Sequence, residues 1–435
     1  FTLVFKPSPD QQTGLTALLQ QLQNPASPQY HKWLTPDEFG SRFGLSQDDI
    51  NKVVSRLQGQ SFTVDRIARS RTFVVFSGTA GQVKTAFSTE IHHYLVNGRT
   101  YYANASDPTV PDALANVVLG FRGLDNFRPK PRAVIRTVAP SAQPHFTSSV
   151  SEDHYLAPND WATIYDVTGL YNSRITGTGQ SIAVMGQTDI YSNDITAFRA
   201  AAGLPASSPT IILIPGSTDP GISQDDLTEA DLDLEWSGGI APDATIIYVN
   251  SGTANGVFDS LSYTIDEALA PVVSITYGEC EADWGAAGLE ALAEEAEQAN
   301  AQGMTIVAAS GDQGVADCDE SENPNVPATI ATQGYAVDAP ASVPYVTGVG
   351  GTEFNEGSQN YWSSTNNSSD GSALSYIPET AWNDTSAANG LSASGGGPSI
   401  FLRSQAGRQA PACPMTALAT CPTSPSPRRR FMILT

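Results

Sequence analysis

The middle of this 435-residue chain almost completely lacks positive charge. No lysine or arginine lies between Ala200 and Ile400, and no histidine follows His154. Residues 151–400 contain 2 basic residues (Lys and Arg) and 35 acidic residues (Asp and Glu). By contrast, residues 1–150 contain 15 basic and 10 acidic residues, and residues 401–435 contain 5 basic and no acidic residues. Because such an acidic body repels nucleic acid and anionic membranes, we expect neither as a partner. The charge suits a protein that works in acid, although solubility or adaptation to salt explains it as well.

Long apolar runs and abundant cysteines are also missing. No run approaches the ~20 residues of a membrane helix. The four cysteines, at 280, 318, 413 and 421, are too few for a disulfide scaffold. Cys280 and Cys318 each follow a predicted core strand, so one disulfide between them is plausible in an oxidising compartment. A zinc site is not expected, because no histidine lies near and neither cysteine pair has ligand spacing.

The first 136 residues predict a compact α+β domain. Its predicted strands are FTLVFK at 1–6 and TFVVFSG at 72–78, and its predicted helices are GLTALLQQLQ at 14–23 and QDDINKVVSRLQ at 47–58. Thr35 is a helix cap with Pro36 at the first helical position, and Glu38 closes a capping box. Proline, serine and threonine then dominate, and we place a linker with the processing site at 137–157.

The body, residues 158–400, predicts an α/β fold. Its short Val/Ile-rich strands are SIAVMG at 181–186, TIILI at 210–214, ATIIYV at 244–249, PVVSITYG at 271–278 and MTIVAASG at 304–311. Helical patterns separate them, and the helix at 287–303 places Leu289, Leu292, Ala296 and Ala299 on one face with Gly303 as its stop. This alternation is typical of a mostly parallel sheet with helices on both faces.

A pair of carboxylates is the clearest chemical signal. Residues 225–237 predict a helix that begins near Asp225 and ends at Gly238, and its buried stripe is Leu227, Ala230 and Leu234. Glu229 and Asp233 are four residues apart, so both lie on one helix face. Two carboxylates held close raise the pKa of one member and make a base that functions in acid. For an arbitrary helix, a solvated acidic face is the commoner explanation.

Several longer motifs carry a family resemblance. They are SPQYHKWLTPDEFGSRFG at 27–44, LAPNDWATIYD at 156–166, TEADLDLEW at 228–236, APDA at 241–244, SITYG at 274–278, SGDQG at 310–314, PASVPYVTGVGGT at 340–352 and SASGGG at 392–397. In this order they resemble the sedolisins, the serine-carboxyl peptidases. The resemblance implies a subtilisin-like doubly wound parallel sheet, C-terminally truncated, after a ferredoxin-like activation prodomain. It also implies a secreted endopeptidase that acts on peptides, is inhibited by its own prodomain and binds calcium.

The chain starts at Phe1 without a leader, so we expect that a secretion signal was removed or never included. The resemblance further implies that Glu229 takes the proton of a serine hydroxyl while Asp233 is hydrogen-bonded behind it. Asp312 would lie in the oxyanion hole as a protonated donor. A turn aspartate that binds its own backbone is the alternative for Asp312.

The strand end at Ser274, Tyr277 and Gly278 is the candidate substrate-binding segment. Its backbone groups would pair with an extended peptide. An ordinary strand end is the alternative here. Both this segment and Gly311-Asp312 fall at the carboxyl ends of predicted strands, where ligands bind in such sheets.

The family's nucleophile motif, G-T-S-x-x-x-P, does not occur in these residues. The calcium site would also lie in the missing part, so we expect no metal site in this chain. Residues 385–435 contain no Asp or Glu, and the tail from Phe401 is basic and without periodicity, which predicts a frameshift near that residue. A genuine variant with a basic tail is the alternative. The chain is therefore expected to be inactive, and the rival function is a pseudo-peptidase that binds peptides or partners without cutting.

Overall fold

The computed structural model describes residues 1–96, 98–131, 146–147, 154–253, 255–319, 328–388 and 390–402. Most of the predicted processing linker and the tail from residue 403 onward lie outside the described residues. The predictions of a processing site and of a frameshifted tail therefore stay predictions, as do the domain boundaries. Within the described residues, no helix is long and apolar enough to cross a membrane.

The head is built around an antiparallel sheet. Its strands are β1 (Thr2–Phe5), β2 (Thr63–Ile67), β3 (Phe73–Ser77), β4 (Ile91–Val96), β5 (Arg99–Asn104) and β6 (Val118–Arg122), and its helices are α1 (Pro9–Gln23), α2 (Pro36–Phe43), α3 (Gln47–Gly59), α4 (Ala80–Phe87) and α5 (Asp112–Ala115). Four strands pair in the order β2-β3-β1-β6, and β4 and β5 form a separate hairpin. The βαββαβ order of the sheet confirms the ferredoxin-like prediction. The capping box of α2 is also confirmed, since Thr35 and Glu38 bond each other's backbone.

The body contains the remaining elements. Its strands are β7 (Phe146–Thr147), β8 (His154–Tyr155), β9 (Ser181–Gly186), β10 (Thr210–Leu213), β11 (Thr245–Asn250), β12 (Val272–Ile275), β13 (Glu279–Cys280), β14 (Thr305–Ala309), β15 (Asp338–Ala339), β16 (Val346–Val349), β17 (Thr352–Phe354) and β18 (Glu379–Ala381). Its helices are α6 (Pro158–Ile164), α7 (Thr168–Asn172), α8 (Ser192–Ala201), α9 (Gln224–Ile240), α10 (Val257–Glu267), α11 (Glu281–Ala301) and α12 (Thr385–Ala388).

Six of these strands form one parallel sheet in the order β10-β11-β9-β12-β14-β16. Successive residues of β9 face opposite sides, so Ala183 and Met185 enter the core under α10 and α11, and Val184 enters the core under α8 and α9. The prediction of a doubly wound parallel sheet is thus confirmed. All five predicted strands are present, and β16 is an edge strand that the sequence did not predict.

The helix of the acidic pair is longer than predicted. Helix α9 continues through Gly238 to Ile240, so the prediction that Gly238 ends it is wrong. The physical reason is Arg199, which is buried and donates hydrogen bonds of 2.9 Å to Gly238 O and 2.8 Å to Pro242 O. A Cβ on Gly238 would lie 3.0 Å from the Arg199 guanidinium, so glycine at this position allows Arg199 to lie close to the helix backbone. The predicted stripe of Leu227, Ala230 and Leu234 is buried.

The head lies against α10 and α11 of the body. Basic head residues meet acidic body residues at this contact, in ion pairs between Arg66 and Asp266 (3.5 Å), Arg69 and Glu267 (3.2 Å), and Arg122 and Glu295 (2.8 Å). Ser70 also donates through its N–H (2.9 Å) and hydroxyl (2.8 Å) to Asp266. The charge asymmetry seen in the sequence is therefore partly matched across this interface.

Candidate active site at the carboxyl edge of the sheet

The carboxylate pair lies on α9, beside the end of β12. Glu229 is 4% exposed and Asp233 is 8% exposed. Thr276, the first residue after β12, donates a hydrogen bond of 2.8 Å to Asp233 Oδ2. Burial and then the charge of Glu229 raise the pKa of Asp233 well above its ordinary value, and the Thr276 bond opposes the rise. The pair is therefore suited to hold one proton between two carboxyl groups and to exchange it with a bound group.

A third carboxylate on the same helix face extends the site. Asp226 precedes Glu229 by three residues, and its Oδ1 accepts hydrogen bonds of 2.9 Å each from the Tyr277 hydroxyl and from Gln187 Nε2. Tyr277 is 1% exposed, and burial followed by the charges of Asp226 and Glu229 raises the pKa of its hydroxyl. Tyr277 therefore stays neutral, and its hydrogen bond to Asp226 connects the end of β12 to α9.

Sequence reasoning missed Asp226, Gln187 and Thr276. The spacing of Asp226, Glu229 and Asp233 at i, i+3 and i+7 was a usable signal for the first, because these positions share one face of a helix. No local pattern marks Gln187 or Thr276. Each is the first residue after a parallel strand, and its partner is brought to it by the sheet.

Only part of the predicted substrate-binding segment lies within strand β12. Ser274 lies within the sheet and pairs with Val184 on β9 and Val307 on β14. Tyr277 and Gly278 lie beyond the strand, at the carboxyl edge. A Cβ on Gly278 would lie 1.7 Å from Oδ1 of the buried Asp338, so only glycine fits there.

Asp312 lies in a turn that follows β14, the neighbour of β12 in the sheet. The segment SASGGG lies against this turn: Ala393 N–H donates to Asp312 O at 2.9 Å, and Gly395 N–H donates to Gly311 O at 2.8 Å. Gly311 has a φ of +96°, a conformation that favours glycine. Because β12 and β14 are parallel neighbours, Thr276 and Asp312 follow strands that end at the same edge.

The structure joins Cys280 to Cys318 in a disulfide. This bond closes a loop that contains Asp312 and α11. Within the described residues, no group of three or more His, Cys, Asp and Glu side chains is placed to hold a metal ion.

Comparison with known proteins agrees with this architecture. Residues 2–127 match the family described as pro-kumamolisin, activation domain, and residues 214–397 match the subtilase family. Sedolisin of Pseudomonas sp. (strain 101) is 30% identical over 397 residues, covering 89% of this chain and 63% of that protein. Xanthomonalisin of Xanthomonas sp. (strain T-22) is 29% identical over 426 residues, covering 89% of this chain and 49% of that protein.

A solved structure of Pseudomonas sedolisin, described as a serine-carboxyl proteinase complexed with two molecules of pseudo-iodotyrostatin, is also similar. It shares 27% identity with a TM-score of 0.43, over 57% of this chain and 63% of that one. The chain thus spans 49% to 63% of the length of these relatives.

An activation domain followed by a subtilase-type domain is the organisation of a peptidase precursor. This chain has both domains and is similar to sedolisin and xanthomonalisin over 89% of its length.

Proposed function

We propose that the protein is a secreted precursor of a serine-type endopeptidase that works in acid. The observation that carries this proposal is the buried pair of Glu229 and Asp233, with Thr276 bound to Asp233 at 2.8 Å. A carboxylate replaces histidine as the base only where its modest pKa suffices, which limits the reaction to acidic conditions. The Cys280–Cys318 disulfide supports an oxidising, extracellular location.

In the proposed reaction, a serine hydroxyl attacks the carbonyl of the scissile peptide bond and forms a new C–O bond. Glu229 accepts the hydroxyl proton, and Asp233 stabilises the proton on Glu229. The neutral Asp312 carboxyl donates a hydrogen bond to the oxyanion that forms. When the C–N bond breaks, Glu229 returns the proton to the leaving amine. Water then hydrolyses the acyl-enzyme by the same steps, and the carboxyl product leaves.

The serine itself is not assigned, since no serine of these 435 residues lies in a G-T-S-x-x-x-P motif. We therefore propose that the 435-residue polypeptide does not cleave peptides by itself. A non-catalytic protein that binds peptides in the intact cleft is the second candidate. The observation in its favour is that a peptide segment of this chain, with Pro129 buried, already lies at the edge of the sheet beside Gln187.

The test begins with the gene, read from the codon of Gly397 onward in all three frames. The protein is then expressed with the frame that encodes a G-T-S-x-x-x-P segment and assayed with a quenched fluorescent peptide at acid pH. We expect cleavage that falls by roughly 10⁴- to 10⁶-fold in Glu229→Gln, as for the loss of one triad member. If no frame encodes the motif, or the longer protein does not cleave, the peptidase proposal fails and peptide binding without cleavage takes its place.

We also propose that the head inhibits the body until it is removed. The ion pairs of Arg66, Arg69 and Arg122 with body carboxylates support this proposal. Protonation of body carboxylates in acid would weaken the attraction between head and body and favour release. Because the partly exposed pair of Arg69 and Glu267 and the attraction between the oppositely charged surfaces are screened by salt, the head should bind more weakly as ionic strength rises. Binding that is indifferent to salt would discard the electrostatic account.

A further inference from the structure

Gln187 is a buried amide whose orientation is fixed by three partners. It is 4% exposed and follows β9, the strand between β11 and β12. Its Oε1 accepts from Val257 N–H at 3.2 Å, and its Nε2 donates to Asp226 Oδ1 at 2.9 Å and to Pro129 O at 2.8 Å. A primary amide has two N–H donors, so both are used. The reversed amide would place its oxygen against two acceptors, which excludes that orientation.

The backbone next to Gln187 leaves room for this amide. Gly256 has a φ of +53°, and a Cβ there would lie 2.1 Å from Gln187 Oε1. Any other residue at position 256 would therefore displace the amide oxygen. Gly256, Val257 and Asp226, all in the body, therefore hold the Gln187 amide in place together with the segment it binds.

The group that Gln187 binds is the main chain of a peptide. Residues 127–131, which we name the exit segment, leave the head here. Pro129 is buried, whereas Phe127 and Lys130 on either side are exposed. Arg128 donates a hydrogen bond of 2.7 Å to Gly252 O, which follows β11. The exit segment therefore contacts the carboxyl ends of two neighbouring strands, β9 and β11.

This contact lies close to the carboxylate pair. The second N–H of Gln187 binds Asp226, which is one helical turn before Glu229 on the same face of α9. Asp226 also accepts from Tyr277, at the end of β12. A series of hydrogen bonds thus connects a bound peptide to both elements that form the candidate active site. It runs from Pro129 O through Gln187 and Asp226 to Tyr277.

We propose that Gln187 is a substrate-positioning residue. Its N–H binds a main-chain carbonyl of the peptide that lies in the cleft, and Asp226 fixes the Gln187 amide for that task. The exit segment occupies the position before the head is removed. Every peptide bond supplies such a carbonyl, so the contact selects a suitably placed peptide main chain and no particular side chain. The inference rests on the proposed function for its substrate, but its test requires no catalysis.

The test uses the full chain with a site for a sequence-specific protease in place of residues 138–143. After cutting, the head remains bound to the body only by non-covalent contacts, and native mass spectrometry on dilution gives its Kd. Gln187→Met keeps the size of the side chain and removes the donor. We expect its head to bind roughly tenfold more weakly, the effect of losing one buried hydrogen bond. An acetylated copy of residues 124–131, added at millimolar concentration, should displace the head from the unchanged body. Its own Kd for the body, obtained from the same titrations, should be roughly tenfold weaker with Gln187→Met.

Gln187→Glu gives a second readout. At pH 7 its carboxylate has no donor and repels Asp226, so we expect weaker binding than with Gln187→Met. At pH 4 a protonated carboxyl regains one O–H donor, so the Kd relative to the unchanged protein should partly recover. A purely structural role would produce no such recovery. If Gln187→Met does not fold, the proposal is tested by the Kd of Gln187→Glu relative to that of the unchanged protein, compared between pH 7 and pH 4.

Tyr171→Phe is the matched control, since the Tyr171 hydroxyl donates to a main-chain carbonyl, Ile240 O, at 2.6 Å. It should leave the head Kd unchanged. If Gln187→Met leaves the Kd unchanged, or weakens binding no more than Tyr171→Phe, the proposal for Gln187 is overturned and the peptidase proposal stands. Peptide displacement without cleavage would support Gln187 even if the peptidase proposal failed.

Discussion

The hydroxyl of Thr276 donates a hydrogen bond of 2.8 Å to Asp233, and thereby joins the end of β12 to α9. Thr276→Val keeps the shape of the side chain and removes the donor. We expect the free energy of unfolding to fall by about 1–3 kcal/mol, because a buried carboxyl loses a partner. Urea unfolding at pH 7 measures the change. Thr276→Ser retains a hydroxyl and should lose less, and equal losses for both variants would contradict the role of the hydrogen bond.

The second prediction concerns the ion pair between Arg122 and Glu295, at 2.8 Å and nearly inaccessible to solvent. Burial raises the pKa of Glu295, and Arg122 opposes the rise. Arg122→Met removes the opposing charge, so the head of the cut protein should bind the body roughly 100-fold more weakly at pH 7. The loss should shrink toward pH 4, where Glu295 becomes protonated and its burial costs less.

Lys52→Met is the control for that measurement. Lys52 pairs with Asp49 at 2.6 Å, but both side chains are exposed, and exposed pairs contribute little. The variant should leave the head Kd unchanged at every pH. An Arg122→Met defect that is independent of pH would contradict the assignment to a buried Glu295 carboxylate.

The third prediction concerns Glu294, which faces the head on α11. Burial, then the charges of Glu290, Glu297 and Glu295, raise the pKa of Glu294 to about 9. A raised pKa means that its contribution to stability is present below the ordinary pKa of a glutamate and is lost as the pH rises toward 9. Glu294→Gln is neutral throughout, so its melting temperature should exceed that of the unchanged protein by a margin that grows from pH 5 to pH 9.

Glu290→Gln is the companion variant, because Glu290 is exposed on the same helix and its charge contributes to the raised pKa of Glu294. It should stabilise the protein less than Glu294→Gln does, by a margin that also grows with pH. A margin for Glu294→Gln that is constant with pH would show that the Glu294 carboxyl does not titrate as described. The result also bears on release of the head, since the buried Glu294 carboxyl favours the assembled form in acid.

The fourth prediction concerns the disulfide between Cys280 and Cys318, which are 38 residues apart. Cross-linking a loop of this length should stabilise the body by about 4 kcal/mol in the chain-entropy account. Replacing both cysteines by serine should lower the free energy of unfolding by a similar amount in urea. Reduction of the unchanged protein should reproduce that loss. A loss below about 1 kcal/mol in both experiments would contradict a stabilising disulfide.

Much of the fold was predictable because the elements have strong local patterns. Val/Ile-rich runs such as 181–186 indicated core strands, and 181–186 coincides with β9. The Thr35, Pro36 and Glu38 pattern indicated a helix start because capping depends on neighbouring residues alone. The extent of α9 was not predictable, since Arg199, from another helix, binds the backbone at its end.

The candidate site was predictable only in part, for the same reason. The spacing of Glu229 and Asp233 determines that they share a helix face, whatever the rest of the chain does. Their burial, and the donation from Thr276, depend on how α9 packs against the sheet. Gln187 binds Pro129 from 58 residues away, so no window of sequence could show that contact.

The central claim is that Glu229 and Asp233 share a proton in a buried site. The most direct measurement is a carboxyl ¹³C NMR titration of the 435-residue protein, with Asp233→Asn and Glu229→Gln used to assign the two signals. We predict that Asp233 stays protonated well above the ordinary range of an aspartate and that its titration moves to lower pH in Glu229→Gln, because the neighbouring charge is gone. Titration of Asp233 in the ordinary range, unaltered by Glu229→Gln, would contradict the account.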